Sequence, residues 1–443
     1  MSERYDIIGG GPAGCVAAKG LTAAGYRTAL ITRDRRPAVI EGLSARVIQA
    51  IRDLGFLSDD AVPEPPVARE ASWQGLTSST NREWLVDRQR LDHAFRRETA
   101  AAGVAMIDAR IARIGRTQEA WTIAAADGRT WRAGFLIEAR GRAAGGRRLR
   151  GPSTTALSRP YRRLAPCARS AVAAWRRGWA WFATLGDGTG SLQLAFASPL
   201  PKRDDLSAFW DQAIGEIDEA NDWLHDAEPA AGLAVRHAET SRVEAVIAGG
   251  VIRIGDAALA MDPLAGHGVF EAVASATSAL PVVRTILERP DHTDAATRFY
   301  QERIDQTFLR LARIGRDFYA LERRWPDEPF WGERRSWPDQ EPAHARPGAP
   351  SPAPAITTRP VVEDGFIAER EVIVTADHPR GVWQVDRVPI VDLLLMLRAG
   401  APPDPDMLAE AFGRTPAEIE TALGWLRFRG LAGGEAKNAG GIG

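Results

Sequence analysis

Residues 5–14 read YDIIGGGPAG, a short apolar stretch that runs directly into a cluster of glycines. The stretch has the composition of a buried strand, and the glycines satisfy the spacing G-x-G-x-x-G at the start of an apolar helical segment. A second strand-like stretch, RTALIT, follows at residues 27–32. Because a strand, a helix and a further strand in this order form a crossover unit, the pattern predicts a parallel sheet in an α/β domain.

The glycine spacing predicts a turn that binds a dinucleotide. Gly9 permits a tight turn, Gly11 lets a pyrophosphate approach the backbone, and Gly14 allows the helix and strand to pack closely. Pro12 and Ala13 begin the helix, whose exposed N–H groups attract anionic oxygen atoms. We expect these five residues to bind the cofactor.

The end of the second strand lacks the acidic residue that usually binds ribose in such a site. Thr32 occupies that end and Arg33 follows it. A threonine hydroxyl offers one group where a carboxylate would accept two hydrogen bonds. Either Thr32 contacts the ribose while Arg33 covers adenine or a phosphate, or both residues belong to a solvated strand end.

A second cluster of turn residues lies more than 200 residues away, GDAALAMDPLAGHGVFEA at residues 255–272. With its preceding strand-like stretch, it resembles the second flavin motif of the para-hydroxybenzoate hydroxylase superfamily, the FAD-dependent monooxygenases and their relatives. SARVIQAIRDLGF at 44–56, VDRQRLDHAF at 86–95 and LIEARGR at 136–142 resemble further segments of that superfamily, with Glu138 replacing an aspartate. The resemblance covers roughly residues 1–335.

The resemblance implies roles for several residues beyond the glycine turn. Gly255 and Asp256 would contact the ribityl chain or the neighbouring phosphates, and Pro263 would lie beside the flavin ring. Arg46 and Arg88 would neutralise a phosphate or hold the ribose. The alternative for each arginine is a surface ion pair.

The last part of this motif would form the start of a helix that faces the flavin. Gly266, His267 and Gly268 would direct its positive end at flavin N1 and the C2 carbonyl. His267 is either part of this positioning loop or, less simply, a proton-transfer residue. The histidines show no metal-ligand spacing, so we predict no metal.

The predicted fold is α/β, with a Rossmann-like FAD domain of the para-hydroxybenzoate hydroxylase type, an inserted β-sheet substrate domain and a small winged-helix-like C-terminal domain. The predicted boundaries are 1–67, 86–155 and 251–337 for the discontinuous FAD domain with a long helix, 68–85 and 156–250 for the substrate domain, 338–360 for a linker, and 361–433 for the C-terminal module. The linker prediction depends on seven prolines.

Charge decides between the roles that a winged-helix-like module could have. Residues 361–433 contain 12 acidic and 7 basic residues, and Glu418 and Glu420 lie at the start of the last predicted helix. A DNA-reading helix would need hydrogen-bond donors for phosphates and bases there. We therefore expect either a protein- or peptide-docking module or a structural appendage, and no nucleic-acid binding.

Aromatic residues near position 330 indicate which branch of the superfamily the chain resembles. The pattern YALERRWPDEPFWGERR at 319–335 is similar to that of flavoproteins that mature quinone cofactors, including one that hydroxylates a tryptophan in a subunit of quinohaemoprotein amine dehydrogenase. Flavin-dependent tryptophan halogenases are also similar, but they need a lysine beyond the first flavin-binding unit. This chain has no lysine between residues 20 and 201.

This branch implies hydroxylation of an aromatic side chain, with a peptidyl tryptophan as the expected substrate in tryptophylquinone maturation. NADH or NADPH would reduce FAD, and dioxygen would form a flavin C4a-hydroperoxide that transfers oxygen to the ring. One alternative is a hydroxylase or epoxidase of small aromatic molecules. Another is a flavin-bound assembly factor without turnover.

Candidate substrate residues lie on a predicted hairpin at 178–198. Trp179 and Trp181 share one face of a strand by alternation, and Gln193 lies on the partner strand. Either these residues contact a substrate ring, for which stacking is suited, or they pack in the core. Tyr319, Trp325 and Trp331 are expected to pack in the core or between domains.

Composition excludes several classes of protein. The 443-residue chain is 45% hydrophobic and 26% charged, as in folded globular proteins, and its net charge of −1 indicates no general attraction to nucleic acid or membranes. The amino-terminal sequence shows no signal-peptide pattern, and no run of about 18 uninterrupted apolar residues, the length that spans a bilayer, is present. With only Cys15 and Cys167, we expect a cytoplasmic protein without a disulfide framework.

Overall fold

The structure is a computed structural model that describes residues 5–33, 39–57, 65–117, 120–344 and 353–432. Its chain divides into unit 1, residues 1–283 and 300–343, and unit 2, residues 284–299 and 344–443.

Strands and helices are interleaved along the described parts of the chain. The first third contains β1 (Tyr5–Ile8), α1 (Pro12–Ala23), β2 (Thr28–Thr32), β3 (Ile40–Leu43), α2 (Ala45–Asp53), β4 (Val67–Trp73), β5 (Leu76–Asp87), α3 (Arg88–Ala101), β6 (Ala105–Asp108), β7 (Ile111–Arg116), β8 (Trp121–Ala125), β9 (Thr130–Ala133), β10 (Phe135–Glu138) and β11 (Arg148–Arg150). The middle contains β12 (Thr155–Arg162), β13 (Arg169–Trp175), β14 (Gly178–Thr184), β15 (Gly190–Phe196), α4 (Leu206–Gly215), α5 (Asp218–Trp223), β16 (Glu228–Pro229), β17 (Ala234–His237), β18 (Ser241–Val243), β19 (Ile247–Ala248), β20 (Val251–Arg253) and β21 (Leu259–Ala260). The last part contains α6 (Gly268–Glu288), α7 (Thr293–Leu321), α8 (Pro329–Ser336), β22 (Ala355–Glu363), β23 (Phe366–Val374), β24 (Gln384–Val385), β25 (Val388–Pro389), α9 (Ile390–Arg398), α10 (Pro405–Phe412) and α11 (Pro416–Phe428).

A six-stranded sheet in unit 1 confirms the predicted parallel sheet. Its order is β19-β20-β10-β1-β2-β6, and every neighbouring pair except β19 with β20 is parallel. Ile8, Ile31 and Ile137 are almost fully buried, as expected of strands covered on both faces. The carboxyl ends of β1, β2 and β10 therefore meet at one edge of the sheet, where ligands of such folds bind.

The second large sheet of unit 1 has nine strands in the order β16-β12-β15-β14-β13-β4-β5-β3, with β17 also paired to β12. The predicted hairpin is present, since β14 and β15 pair in antiparallel register. On one face of this sheet Trp175, Phe182 and Leu194 pack against Trp210 in α4. On the other face, alternation directs Trp181 away from that core.

Unit 2 contains a β-hairpin and three helices. The helices bury Leu394, Leu408 and Leu423 in a common core. Thr415 and Glu418 form a capping box at the start of α11, in which the backbone N–H of Thr415 donates to Oε2 of Glu418 at 2.8 Å.

The hairpin of β22 and β23 corrects part of the domain prediction, because β22 begins at Ala355 inside the predicted linker. Asp364 and Gly365 join the two strands with positive φ angles of 50° and 77°, as in the tightest hairpin turns. Pro360 is accommodated because a two-stranded ribbon consists of edge strands.

Residues 284–299 correct a second boundary, since they belong to unit 2 and not to the predicted flavin domain. The backbone N–H of Ile367 donates to Oγ1 of Thr285 at 2.7 Å, and the guanidinium groups of Arg284 and Arg289 lie over the ring of Phe366. The end of α6 and the start of α7 thus pack with the hairpin.

Helix α6 has the length and apolar composition that a membrane span would need, as the one such helix among the described residues. Val273, Ala276 and Ala279 on this helix are buried within the protein. These buried positions place one side of α6 in the core.

Candidate flavin and substrate site

A cavity of about 970 Å³ lies in unit 1, between the carboxyl ends of the parallel strands and the inner face of the nine-stranded sheet. The predicted residues that line it are Gly9, Gly11, Pro12, Ala13, Thr32, Arg33, Arg88, Gly255, Asp256, Pro263, Gly266, Gly268, Trp179, Trp181 and Gln193. Gly14, Arg46 and His267 are outside this set. The two distant motifs and the hairpin thus meet around one space.

The glycine turn between β1 and α1 requires its glycines for steric reasons. Gly9 has φ +112°, and a Cβ atom there would lie 2.3 Å from the carbonyl oxygen of Ala139. A Cβ atom at Gly14 would lie 1.8 Å from the carbonyl oxygen of Gly9. Gly14 therefore lets α1 pack closely against the backbone of the turn. Gly11 immediately precedes α1, and the N-terminus of this helix faces the cavity.

Thr32 holds the glycine turn as well as lining the cavity. Its Oγ1 accepts a hydrogen bond of 3.0 Å from the backbone N–H of Gly10. The hydroxyl of Thr32 can still donate a hydrogen bond to a ribose oxygen. Arg33 lines the cavity at the same strand end.

Arg88 is a pre-positioned cation beside the turn. Its Nη1 donates to Oε1 of Glu41 at 2.8 Å, and its Nε donates to Oδ1 of Asp92 at 2.9 Å. Burial alone would lower the pKa of Arg88, but the two carboxylates raise it above its ordinary value. The Nη2 atom is 3.9 Å from the Cβ position of Gly11. A fixed guanidinium there suits a phosphate.

The second motif reaches the first through Gly255. This residue has φ +57°, and a Cβ atom there would lie 2.9 Å from the Cβ of Ala13 at the start of α1. Oδ2 of Asp256 lies 3.7 Å from Nε of Arg142, while Nη2 of Arg148 donates to the carbonyl oxygen of Asp256 at 3.0 Å. Burial raises the pKa of Asp256, an effect that Arg142 opposes.

Residues 262–268 form a tight loop before α6. Oδ1 of Asp262 accepts from the backbone N–H of Leu264 at 3.0 Å, Pro263 opens a short turn, and Gly266 closes it at φ +64°. The loop presents Pro263, Gly266 and Gly268 to the cavity. Helix α6 starts at Gly268, so the positive end of its dipole faces the same region.

His267 lies outside the cavity lining and is exposed. Burial of part of its ring lowers its pKa, and the positive charges of Arg310, Arg46 and Arg69 lower it further. Neutral imidazole is therefore the favoured form. Arg46 lies outside the lining too, with its guanidinium 4.5 Å from the ring centre of Phe270.

A buried chain of hydrogen bonds connects the loop to the nine-stranded sheet. Nε1 of Trp179 donates to the hydroxyl of Tyr319 at 3.0 Å, and that hydroxyl donates to Oδ2 of Asp262 at 2.9 Å. Trp179 and Tyr319 are 1% and 2% exposed. Burial raises the pKa of Asp262 and, together with Asp262, that of Tyr319. We call this chain the Trp179–Tyr319–Asp262 relay.

The inner sheet face adds polar groups that the sequence did not reveal. Trp181 is directly opposite Gln193 in the register of β14 and β15. Glu83 and Arg69 also line the cavity, and the buried carboxylate of Glu83 accepts a hydrogen bond from the hydroxyl of Ser170. The cavity thus has an aromatic and polar wall opposite the flavin motifs.

The residues at the turn and loop fit a dinucleotide such as FAD. Gly255 brings the second motif close to Ala13 at the start of α1, Gly9 leaves room for Ala139, and Arg88 is charged and held in place. Exposed helix N-termini at Gly11 and Gly268 offer N–H groups to anionic atoms. The donor set therefore matches a pyrophosphate at one end and an electron-rich ring at the other.

Comparison with models of protein families shows which family the chain belongs to. Residues 65–346 match the family model described as tryptophan halogenase. The chain belongs to the tryptophan halogenase family. The match spans the inner sheet face, the flavin loop and α7, which includes every member of the Trp179–Tyr319–Asp262 relay. Membership in this family makes the chain a flavin-dependent oxidoreductase.

Two curated proteins and one solved structure are similar to the chain over different lengths. The structure of QhpG, a peptidyl tryptophan dihydroxylase essential for tryptophylquinone cofactor biogenesis, is 36% identical with a TM-score of 0.85, and the match covers 97% of this chain and all of QhpG. Tryptophan 2-halogenase of Chondromyces crocatus is 30% identical over 35% of this chain and 30% of its own length. LodB of Marinomonas mediterranea, provisionally named an FAD-dependent oxidoreductase, is 30% identical over 29% of this chain and 33% of its own length. The chain thus spans about a third of these two curated relatives.

Several site residues of this family member were not predicted from the sequence. Asp262 carries only the signal of a turn residue, and Glu83 and Arg69 carry no local signal. Each becomes a site residue through sheet register or through contacts with distant residues. The partial signal for Arg142 is its place in the segment LIEARGR, which resembles a flavin motif.

Proposed function

We propose that this protein is an FAD-dependent monooxygenase that uses NADH or NADPH and dioxygen to hydroxylate a tryptophan side chain of a protein partner during tryptophylquinone maturation. The observation that carries the proposal is full-length similarity to QhpG at 36% identity. The match covers nearly all of both chains, so QhpG is similar to this chain in unit 2 as well as in unit 1.

The inner sheet face supports an indole as the substrate ring. Trp181 is half-buried and lines the cavity beside Gln193. An indole ring can stack on or meet the edge of Trp181, and the Gln193 amide can accept its N–H. The buried carboxylate of Glu83 is a second acceptor on the same face.

Hydroxylation is favoured over halogenation by the absence of lysine from the described lining of the cavity. Nζ of Lys19 instead donates to the carbonyl oxygens of Leu54 and Gly55, both at 2.9 Å. Halogenases need a lysine at the substrate cavity, so family membership does not by itself imply halogenation.

The chain's own residues would bind, orient and shield the reactants. FAD, when bound, would supply the electron transfer and oxygen chemistry that side chains lack. Arg88 and the α1 N-terminus would hold the pyrophosphate, and Asp256 would hold the ribityl chain. Pro263 and the α6 N-terminus would fix the ring, and Glu83 is a carboxylate available to take the proton released from the hydroxylated ring carbon.

Unit 2 is proposed to help dock the protein partner. It presents the large apolar side chains of Leu395, Met407 and Phe428 to solvent, and Phe428 is 85% exposed. A protein substrate needs such a contact surface more than a small phenol does. Replacing Phe428 with serine should raise KM for a protein substrate and leave reaction with a short peptide unchanged.

Mass spectrometry tests the proposed reaction. The FAD-loaded protein is incubated aerobically with NADH or NADPH and a tryptophan-containing partner, with an anaerobic sample and a tryptophan-to-phenylalanine partner as controls. We expect a gain of about 16 or 32 Da on tryptophan, for one or two added oxygen atoms. NAD(P)H oxidation that yields only hydrogen peroxide with every candidate partner would contradict the proposal.

A further inference from the structure

Three arginines from separate elements converge around the flavin loop. Arg46 belongs to α2 and lies over Phe270, Arg69 belongs to β4 and its Nη2 is 3.5 Å from the carbonyl oxygen of Leu264, and Arg310 belongs to α7. All three are close enough for their charges to act on His267. We call Arg46, Arg69 and Arg310 the mouth arginines.

The flavin loop beside these arginines borders an opening of the cavity, because two of its glycines both line the cavity and reach solvent. Arg69, Gly266 and Gly268 line the cavity. The loop glycines and His267 are also exposed to solvent. Arg46 and Arg310 are exposed as well, so a molecule that enters the cavity past this loop meets three guanidinium groups.

Little negative charge balances this cluster. Within the described residues, no carboxylate oxygen lies within 4 Å of a guanidinium nitrogen of Arg46, Arg69 or Arg310. Glu271 is the acidic group that interacts with Arg310 and Arg46, and with the nearby Arg303. The three mouth arginines and Glu271 together carry a charge of +2.

Arg69 also has an unused hydrogen-bond donor beside the flavin loop. Its Nε atom is buried and has no hydrogen-bond partner in the described structure. A buried guanidinium N–H without an acceptor costs free energy. A carboxylate would satisfy it and would match the planar geometry of the guanidinium group.

We infer that the mouth arginines bind carboxylate side chains that flank the target tryptophan in the protein substrate. This inference rests on the proposed function and adds a substrate class to it: an acidic segment. The tryptophan enters the cavity, while acidic residues on either side stay at the opening and pair with Arg46, Arg69 and Arg310. Opposite charges of this kind also speed association and fix the direction of docking.

Two peptides that differ only in charge provide the test, acetyl-Glu-Glu-Trp-Glu-Glu-amide and acetyl-Gln-Gln-Trp-Gln-Gln-amide. Their equilibrium binding to the full-length FAD-loaded protein is compared at low and high salt. We expect the acidic peptide to bind about 3- to 10-fold more tightly at low salt, the effect of a few exposed ion pairs. High salt should remove most of this preference.

Variants assign the preference to the cluster. Arg310→Gln should lower the preference for the acidic peptide, and Arg310→Lys should retain part of it because it keeps the charge. Arg113→Gln, an exposed arginine on β7, is the matched control and should change nothing. FAD content is measured for each variant, and all are expected to keep the cofactor.

The outcomes separate this inference from the proposed function. Equal binding of the two peptides would overturn the acidic-segment site. So would an Arg310→Gln variant that binds NADPH more weakly but binds the acidic peptide as tightly as the unmodified protein. The second result would assign the arginines to a nucleotide phosphate. Preferred binding of the acidic peptide without any oxygen addition would retain the site and contradict the hydroxylase proposal.

Discussion

The two walls of the cavity are built from different parts of the chain. The wall at the glycine turn is made of backbone: Gly9 and Gly14 are needed because any side chain would collide with a carbonyl oxygen. The wall on the nine-stranded sheet is made of side chains, such as Trp181 and Gln193, which are opposite each other on β14 and β15. The glycine turn therefore restricts which residues can occupy its own positions, whereas the side chains of the sheet determine which substrate the cavity recognises.

The largest expected effect comes from filling the backbone wall. In Gly14→Val the new side chain would start 1.8 Å from the carbonyl oxygen of Gly9, so β1 and α1 must separate at a cost of about 1–3 kcal/mol or more. We expect most bound FAD to be lost, as measured by absorbance of the purified protein, with a lower Tm. Gly115→Ala is the control, because no atom lies within 4 Å of its Cβ position. Normal FAD content in Gly14→Val would show that the turn tolerates side chains.

The next effect concerns the relay between the two walls. Tyr319→Phe leaves Nε1 of Trp179 and Oδ2 of Asp262 without their partner, which should cost about 1–3 kcal/mol of unfolding free energy. Chemical denaturation measures the loss.

A matched variant distinguishes stability from function. On the opposite sheet face, Nε1 of Trp210 donates to the hydroxyl of Tyr161 at 3.1 Å, so Tyr161→Phe breaks a similar buried bond far from the flavin loop. Both variants should be less stable, but only Tyr319→Phe should change turnover or the flavin absorbance spectrum. Equal effects of the two on turnover would make the relay a purely structural contact.

A smaller effect is expected from the recognition wall. Trp181→Ala should raise KM for the aromatic substrate about 3- to 10-fold, because one ring contact is lost, while FAD content and Tm change little. Trp131→Ala on β9 removes a half-buried indole away from the cavity and serves as the control. If both variants bind substrate normally, Trp181 packs against protein and not against substrate.

The smallest effect is a pH dependence at the loop between the walls. The lowered pKa of His267 means that the folded protein favours the neutral ring. Above about pH 6.5 the ring is neutral in the folded and the unfolded protein, so His267 does not lower the free energy of unfolding. As pH falls below this value through the lowered pKa, the unfolded protein binds the proton more readily, and the free energy of unfolding decreases. His267→Gln should show a smaller fall in unfolding free energy between pH 7 and pH 5. NMR titration should also show a higher His267 pKa in Arg310→Gln, and an unchanged value would place Arg310 too far away to matter.

The same comparison explains what the sequence could and could not reveal. The parallel sheet and the glycine turn were predictable because Gly9, Gly11 and Gly14 report a backbone requirement at fixed spacing. The hairpin of β14 and β15 was predictable from alternation and its turn. These signals are local, so one sequence suffices to detect them.

Side-chain partnerships across long separations were not predictable. Trp179 and Tyr319 are 140 residues apart and Tyr319 and Asp262 are 57 apart, so only the fold brings them together. Glu83 faces the cavity because of the register between β4 and β5, which contains an irregularity after Arg69. A one-residue change in register would have turned such residues to the other face.

The relay has a consequence for how long the enzyme survives its own chemistry. Under the proposed function, a site that oxidises indoles and itself contains indoles is exposed to damage from oxidant released without substrate. Trp179 is shielded, since it is almost fully buried and its N–H is already bound to Tyr319, whereas Trp181 faces the cavity. Prolonged turnover of NADH without substrate should therefore leave oxygen on Trp181 and spare Trp179, as peptide mapping would reveal; the reverse pattern would mean that the relay offers no protection.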